Sequence, residues 1–165
     1  MTQIRSFTAL LALLVVGCGG SSSSTGAGSS GVDQQQQGLC ANETRSTPFH
    51  VNLAEKSDSG NATVTIVDAA PALPAMGKVS DKYNVWTLSV TDASGKPVTN
   101  ASISISPYMP DHRHYSPITP VITSKGDGTY VAESIEFSME GFWQVVVTVK
   151  TGAASEDVLF PICVE

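Results

Sequence analysis

The sequence has few basic residues, and none of its apolar runs is long enough to span a membrane. Its 9 lysines and arginines form no cluster and are outnumbered by 15 acidic residues. Nucleic-acid binding requires a basic surface that neutralises phosphates, so this composition excludes nucleic acid as a partner. The apolar run at residues 10–16 is much shorter than the about 20 residues that a transmembrane helix requires.

Catalytic motifs are missing as well. The chain contains no G-x-S-x-G elbow, no H-E-x-x-H motif, no glycine-rich phosphate loop and no spacing typical of a Ser/His/Asp triad. We therefore predict that the protein is not an enzyme. Beyond Pro48 there is also no apolar pattern of 3.6-residue period and helical length, which disfavours a helical fold.

The first residues have the order of an export signal. Arg5 precedes the short apolar run, as in a secretory signal peptide. The letters VVGC that follow resemble a bacterial lipobox, so we predict a signal peptide at residues 1–17 and lipidation of Cys18. The alternative is an ordinary signal peptide with a chance cysteine. The lipobox predicts a lipid-anchored protein of the bacterial cell envelope. Because residue 19 is glycine rather than aspartate, we expect the anchor to lie in the outer membrane.

Residues 18–38 are rich in glycine, serine and glutamine and contain almost nothing that could be buried. Such a segment cannot offset the entropy of ordering, and we predict a flexible tether with a typical reach of roughly 25 Å. The remaining residues, 39–165, are sufficient for one domain with one core.

Two cysteines remain if Cys18 carries the lipid. Cys40 directly follows the predicted tether, and Cys163 lies near the C-terminus. In an exported protein such a pair predicts a disulfide, whereas two thiolate metal ligands would be hard to maintain in an oxidising compartment.

The rest of the domain alternates between apolar and polar residues in short runs. Predicted strands cover residues 61–67, 82–91, 101–106, 120–123, 128–134, 141–149 and 157–164. Turn residues separate them, notably D-A-S-G-K-P and S-K-G-D-G. About seven strands of this kind predict an all-β fold, an antiparallel immunoglobulin-like β-sandwich. Trp86 and Trp143 are expected to fill its core.

Two longer stretches carry a family resemblance. They are VWTLSVTDASGKPVTNASISISPYMP and HRHYSPITPVITSKGDGTYVAESIEFSMEGFWQVVVTV. The order of a tryptophan strand, a D-x-x-G-x-P-V turn, Met-Pro, a G-x-G-x-Y hairpin and F-S-M-x-G-x-W resembles the YtkA-like domain, a small secreted β-sandwich related to the FixH group. The resemblance implies an exported protein linked with copper handling and oxidase assembly.

The resemblance also implies a ligand set. The Met-Pro loop and the later methionine of the family correspond to Met109 and Met139, while His112 stands where the family more often has methionine. With His114 two positions on, both imidazoles would project to one side of an extended segment. Replacing one thioether by an imidazole shifts the metal preference from copper(I) towards copper(II), zinc or nickel. Asp111 could orient an imidazole or bind a harder ion.

A different interpretation needs no metal. Methionine fills irregular gaps in cores, so Met109 and Met139 could be packing residues. His112 and His114 could then be solvated loop residues. In that case the protein would be a non-catalytic structural or protein-interaction module of the envelope. His50 is expected to have a structural role.

Overall fold

The computed structural model describes residues 38–165, and the domain in this range is an antiparallel β-sandwich. The predicted signal peptide, the lipidation of Cys18 and all but the last residue of the predicted tether lie outside the described residues. After a 3₁₀ helix, Leu39–Asn42, come nine strands: β1 Ala54–Lys56, β2 Ala62–Ala70, β3 Asn84–Asp92, β4 Ser102–Met109, β5 His114–Tyr115, β6 Val121–Ser124, β7 Thr129–Ile135, β8 Gly141–Thr151 and β9 Ala154–Val164. Within residues 38–165, no helix is long and apolar enough to cross a membrane.

The strands form two sheets that face each other. One has the order β1-β2-β3-β7-β6 and the other the order β5-β4-β8-β9, and every pairing is antiparallel. The chain crosses between the sheets after β3, β5 and β7. Each predicted strand is present, and the two additional strands, β1 and β5, are too short to show an alternating pattern in the sequence.

The core lies between the two sheets because alternate residues of each long strand point inward. In β3 the inward row is Trp86, Leu88 and Val90, and in β8 it runs from Trp143 through Val145, Val147 and Val149. All of these side chains are buried, which confirms the predicted inward faces and the core position of both tryptophans.

The first residues of the domain are attached to its last strand. Cys40 and Cys163 form the predicted disulfide, with 5.6 Å between their Cα atoms. A few residues later, the Thr47 amide donates to the Pro161 carbonyl of β9 at 2.7 Å. The segment 40–47, which we call the strap, is therefore attached at both ends to β9.

Candidate functional site

The predicted metal-binding residues lie at a hairpin between β4 and β5. The hairpin pairs Met109 with His114 and Tyr108 with Tyr115, and residues 110–113 form the turn. We call these four residues the histidine turn. Directly opposed residues in a β-ladder project from the same face of the sheet. His114 therefore shares the inner face with Met109, whereas Tyr108 and Tyr115 project from the outer face, with ring centroids 4.7 Å apart.

The histidine turn is not extended, so this part of the prediction is wrong. Arg113 has a φ of 57°, in the left-handed region, because a turn this short must reverse the chain between β4 and β5. The histidines on either side of it still lie close together. The ring centroids of His112 and His114 are 6.1 Å apart, with their planes inclined at 66°.

Trp143 of β8 contacts two residues of the predicted ligand set, the ring of His114 and the backbone of Met139. Its ring meets the imidazole of His114 edge to face, with centroids 5.7 Å apart. Its indole Nε1 donates to the Met139 carbonyl at 2.9 Å. Because β4 pairs with β8, Met109 lies on the strand between His114 and Trp143. The side chain of Met139 itself is partly exposed.

Met109 reaches inward over a glycine. Its side chain is only 2% exposed, and its terminal Cε lies 3.0 Å from the position that a Cβ on Gly141 would occupy. Gly141 also has a φ of 122°, which L side chains rarely adopt. This glycine therefore provides both the backbone conformation that begins β8 and the space for the thioether of Met109.

The tautomer of His114 is determined by a backbone contact. Its Nδ1 lies 3.1 Å from the Tyr115 carbonyl oxygen. Because a carbonyl oxygen can only accept a hydrogen bond, Nδ1 is the nitrogen that carries the proton. In the neutral ring the lone pair is then on Nε2, the atom that is available to a metal. His50, on the surface elsewhere, makes the same kind of contact with the Val51 carbonyl at 3.0 Å.

The carboxylate of Asp111 is bonded to Arg45 rather than to an imidazole. Both of its carboxylate oxygens accept hydrogen bonds from Arg45, at 2.7 Å each. These bonds hold the pKa of Asp111 below its ordinary value. Arg45 also donates to both carboxylate oxygens of Glu43 and lowers the pKa of that group. The sequence does not predict the ion pair between Arg45 and Asp111, because the two residues are 66 positions apart and no local pattern connects them.

Charged and polar ligands alone do not assemble a site here. In the described part of the chain, no group of three or more histidine, cysteine, aspartate or glutamate side chains is arranged to hold a metal ion. A site at the histidine turn would therefore need other donors besides these side chains, and the methionine thioethers are the candidates that the family resemblance names. A cleft of about 690 Å³ lies beside the disulfide and Phe49, and none of its lining residues belongs to the histidine turn.

A protein-family comparison identifies one match. Residues 56–148, more than half of the chain, match the family described as YtkA-like. The matched range includes the hairpin, the histidine turn and most of β8. No curated protein and no solved structure matches the chain.

Proposed function

Because the chain belongs to the YtkA-like family, which is not a known enzyme family, we propose that it is a non-catalytic copper-binding lipoprotein of the bacterial envelope. Its ligands are Met109, His112, His114 and Met139. It would hold copper for storage or for delivery to a partner protein.

One observation carries this proposal. Met109 and His114 are direct partners in the hairpin, on the inner face of the sheet, and Trp143 contacts His114 while binding the backbone of Met139. Thioether sulfur is a soft ligand that suits copper(I), and imidazole suits both oxidation states of copper. The pairing supports the proposal because a thioether and an imidazole, one candidate ligand of each kind, lie on neighbouring residues of the hairpin.

The histidines widen the range of ions that the turn can accept. His112 is exposed, and His114 is only half-buried, with Nε2 as its unprotonated nitrogen. A set of two imidazoles and two thioethers is less soft than an all-methionine set, so copper(II) and zinc(II) are competing ions.

The envelope location rests on the N-terminal sequence and agrees with the disulfide. Disulfides persist in oxidising compartments, and Cys40 is joined to Cys163. Lipidation of Cys18 would attach the domain to a membrane, through the tether at residues 18–38, and the outer membrane is the expected location.

The test is a copper titration of the mature chain, from residue 18 onward, carrying Cys18→Ser to prevent lipidation. Copper(I) is titrated against a competing chelator and copper(II) is titrated separately, for this protein and for His112→Ala/His114→Ala. We expect one ion per chain, bound more tightly than micromolar by the parent and no longer by the double variant. The matched control is His50→Ala, because the ring of His50 makes the same backbone contact but is not one of the proposed ligands.

Another outcome supports the alternative function. If the parent binds copper no more tightly than a short peptide with two histidines does, the turn is structural and Met109 is a packing residue. The protein is then an interaction module, and its partner should be sought by crosslinking in the envelope.

A further inference from the structure

A free carboxylate in the histidine turn would change which metal ion the proposed site prefers. Asp111 directly precedes His112, and its side chain is 46% exposed. Carboxylate is a hard ligand that suits zinc(II) and other divalent ions better than copper(I). A metal site that offers imidazole, thioether and carboxylate ligands together would therefore not discriminate between copper(I) and divalent ions such as zinc(II).

Arg45 occupies both oxygens of this carboxylate. Its Nη1 and Nη2 form two parallel bonds of 2.7 Å to Asp111, the bidentate geometry that only a guanidinium provides. The two bonds use one lone pair of each oxygen and pair the carboxylate with a cation, so Asp111 attracts a metal ion less than a free carboxylate would.

The pair differs from an ordinary surface ion pair, because Arg45 is held from several sides. Its guanidinium carbon lies 4.3 Å from the centre of the Phe142 ring. Glu43, whose side chain is only 14% exposed, accepts bonds from Nε and Nη2 of the same guanidinium, so its edge and the Asp111 edge share Nη2. Surface pairs are usually weak because two long side chains must be ordered. The Arg45 side chain is 48% exposed, and its contacts with Phe142 and Glu43 limit the positions that it can take.

The strap holds the backbone of Arg45 in the same place. Arg45 lies between the disulfide at Cys40 and the hydrogen bond from Thr47 to β9. Phe142, on which it lies, is the register partner of Cys163. Both ends of the strap are therefore attached to β9, and the ring beneath Arg45 belongs to the neighbouring strand β8.

We propose that Arg45 is a specificity-determining residue of the site. It withholds the Asp111 carboxylate from the metal, which restricts the ligands to imidazole and thioether and favours copper(I) over zinc(II). The inference rests on the proposed copper function and adds a reason for the ion that the turn selects.

The test is a double-mutant cycle on the Cys18→Ser mature chain, with Arg45→Gln, Asp111→Asn and the combination. Zinc(II) and copper(I) affinities are measured for each protein. Arg45→Gln should tighten zinc(II) binding about tenfold, at the lower end of the 10–100-fold effects of residues that support metal ligands. It should leave copper(I) binding unchanged. Asp111→Asn alone should change neither affinity, and in the double variant the gain for zinc(II) should disappear.

The variant Arg45→Lys distinguishes the effect of the positive charge from the effect of the bidentate bonds to Asp111. Lysine keeps the positive charge but cannot engage both carboxylate oxygens, so we expect a smaller gain for zinc(II) than in Arg45→Gln. Thermal unfolding of each variant without metal shows whether the domain is intact.

Three results would overturn the inference. One is weaker binding of both ions by Arg45→Gln, which would make Arg45 only a structural support. The second is an unchanged zinc(II) affinity in this variant. The third is a gain that persists without the Asp111 carboxylate, because charge removal alone would then explain it. If the parent chain binds no copper(I) at all, the proposed function fails, whereas copper(I) binding without the zinc(II) effect contradicts this inference alone.

Discussion

At the scale of single residues, the two tryptophans of the core have different polar environments. Both side chains are fully buried. The indole nitrogen of Trp143 donates to the Met139 carbonyl, whereas that of Trp86 has no partner among the described residues. Trp86 instead packs against three aromatic rings, those of Phe49, Phe137 and Phe160. Trp86 is therefore a packing residue, and Trp143 also holds the loop before β8.

This difference predicts unequal costs for the same substitution. Trp143→Phe removes ring volume and the hydrogen bond to Met139, while Trp86→Phe removes ring volume alone. We expect Trp143→Phe to lower the free energy of unfolding by about 1 kcal/mol more than Trp86→Phe does, the typical net contribution of one hydrogen bond. Urea unfolding of both variants measures the difference. Equal losses would show that the bond to Met139 does not contribute to stability.

At the scale of elements, Glu156 of β9 connects the first hairpin to the opposite sheet. It accepts hydrogen bonds from the Ser59 hydroxyl and, at 3.1 Å, from the Asn61 amide, both in the turn between β1 and β2. The bond from Ser59 is the main cause of a pKa below the ordinary glutamate value, followed by those from Asn61 and Ser57. The ionised form of Glu156 therefore stabilises the contact between the sheets.

The lowered pKa gives a pH dependence with a definite sign. The unfolded chain binds a proton at Glu156 more readily than the folded one, so the stabilisation is complete above the unfolded pKa. It is lost as the pH falls through the lower folded pKa. We expect Glu156→Gln to be less stable than the parent at pH 7 and to approach the parent as the pH falls below about 4. Urea unfolding across pH measures this convergence.

Glu55→Gln is the control for this experiment. Glu55 lies on β1, close in sequence to the same turn, and makes no side-chain hydrogen bond within residues 38–165. Because Glu55→Gln keeps the bonds from Ser59 and Asn61 to Glu156, this variant should still lose their stabilisation as the pH falls, as the parent does. A constant difference between Glu156→Gln and the parent at every pH would contradict the assigned role of Glu156.

At the scale of the whole domain, the disulfide closes nearly all of the described chain into one loop. Cys40 and Cys163 are 123 residues apart. A cross-link of this span restricts the unfolded chain strongly, although native contacts and residual structure reduce the effect. Because the strap begins at Cys40, the disulfide also limits how far Arg45 can move from β8.

Removal of the disulfide should therefore be costly. We expect Cys40→Ala/Cys163→Ala to lower the free energy of unfolding by about 2–5 kcal/mol, the range for native disulfides in small exported domains. Urea unfolding of the parent under reducing conditions is the control, and it should match the variant. A loss below about 1 kcal/mol would mean that the strap and β9 remain together without the bond.

The long strands and the core were predictable because their information is local. Alternation every second residue marked β3 and β8, and the inward rows that begin at Trp86 and Trp143 followed from it. The short strand β5 was not predictable, because two residues, His114 and Tyr115, cannot show a period. The predicted ligands were recognised as a group from the family resemblance, but their arrangement was not.

The sequence by itself determined the class of fold, the disulfide partners and the candidate ligands, since side-chain alternation, cysteine number and residue chemistry are properties of the chain. Only the tertiary structure decided which groups meet. It paired Met109 with His114, placed the Trp143 ring against His114, and paired Asp111 with Arg45. These contacts arise from strand register and from the path of the strap across β8. Both depend on packing between residues that are far apart in the sequence, and no local pattern encodes them.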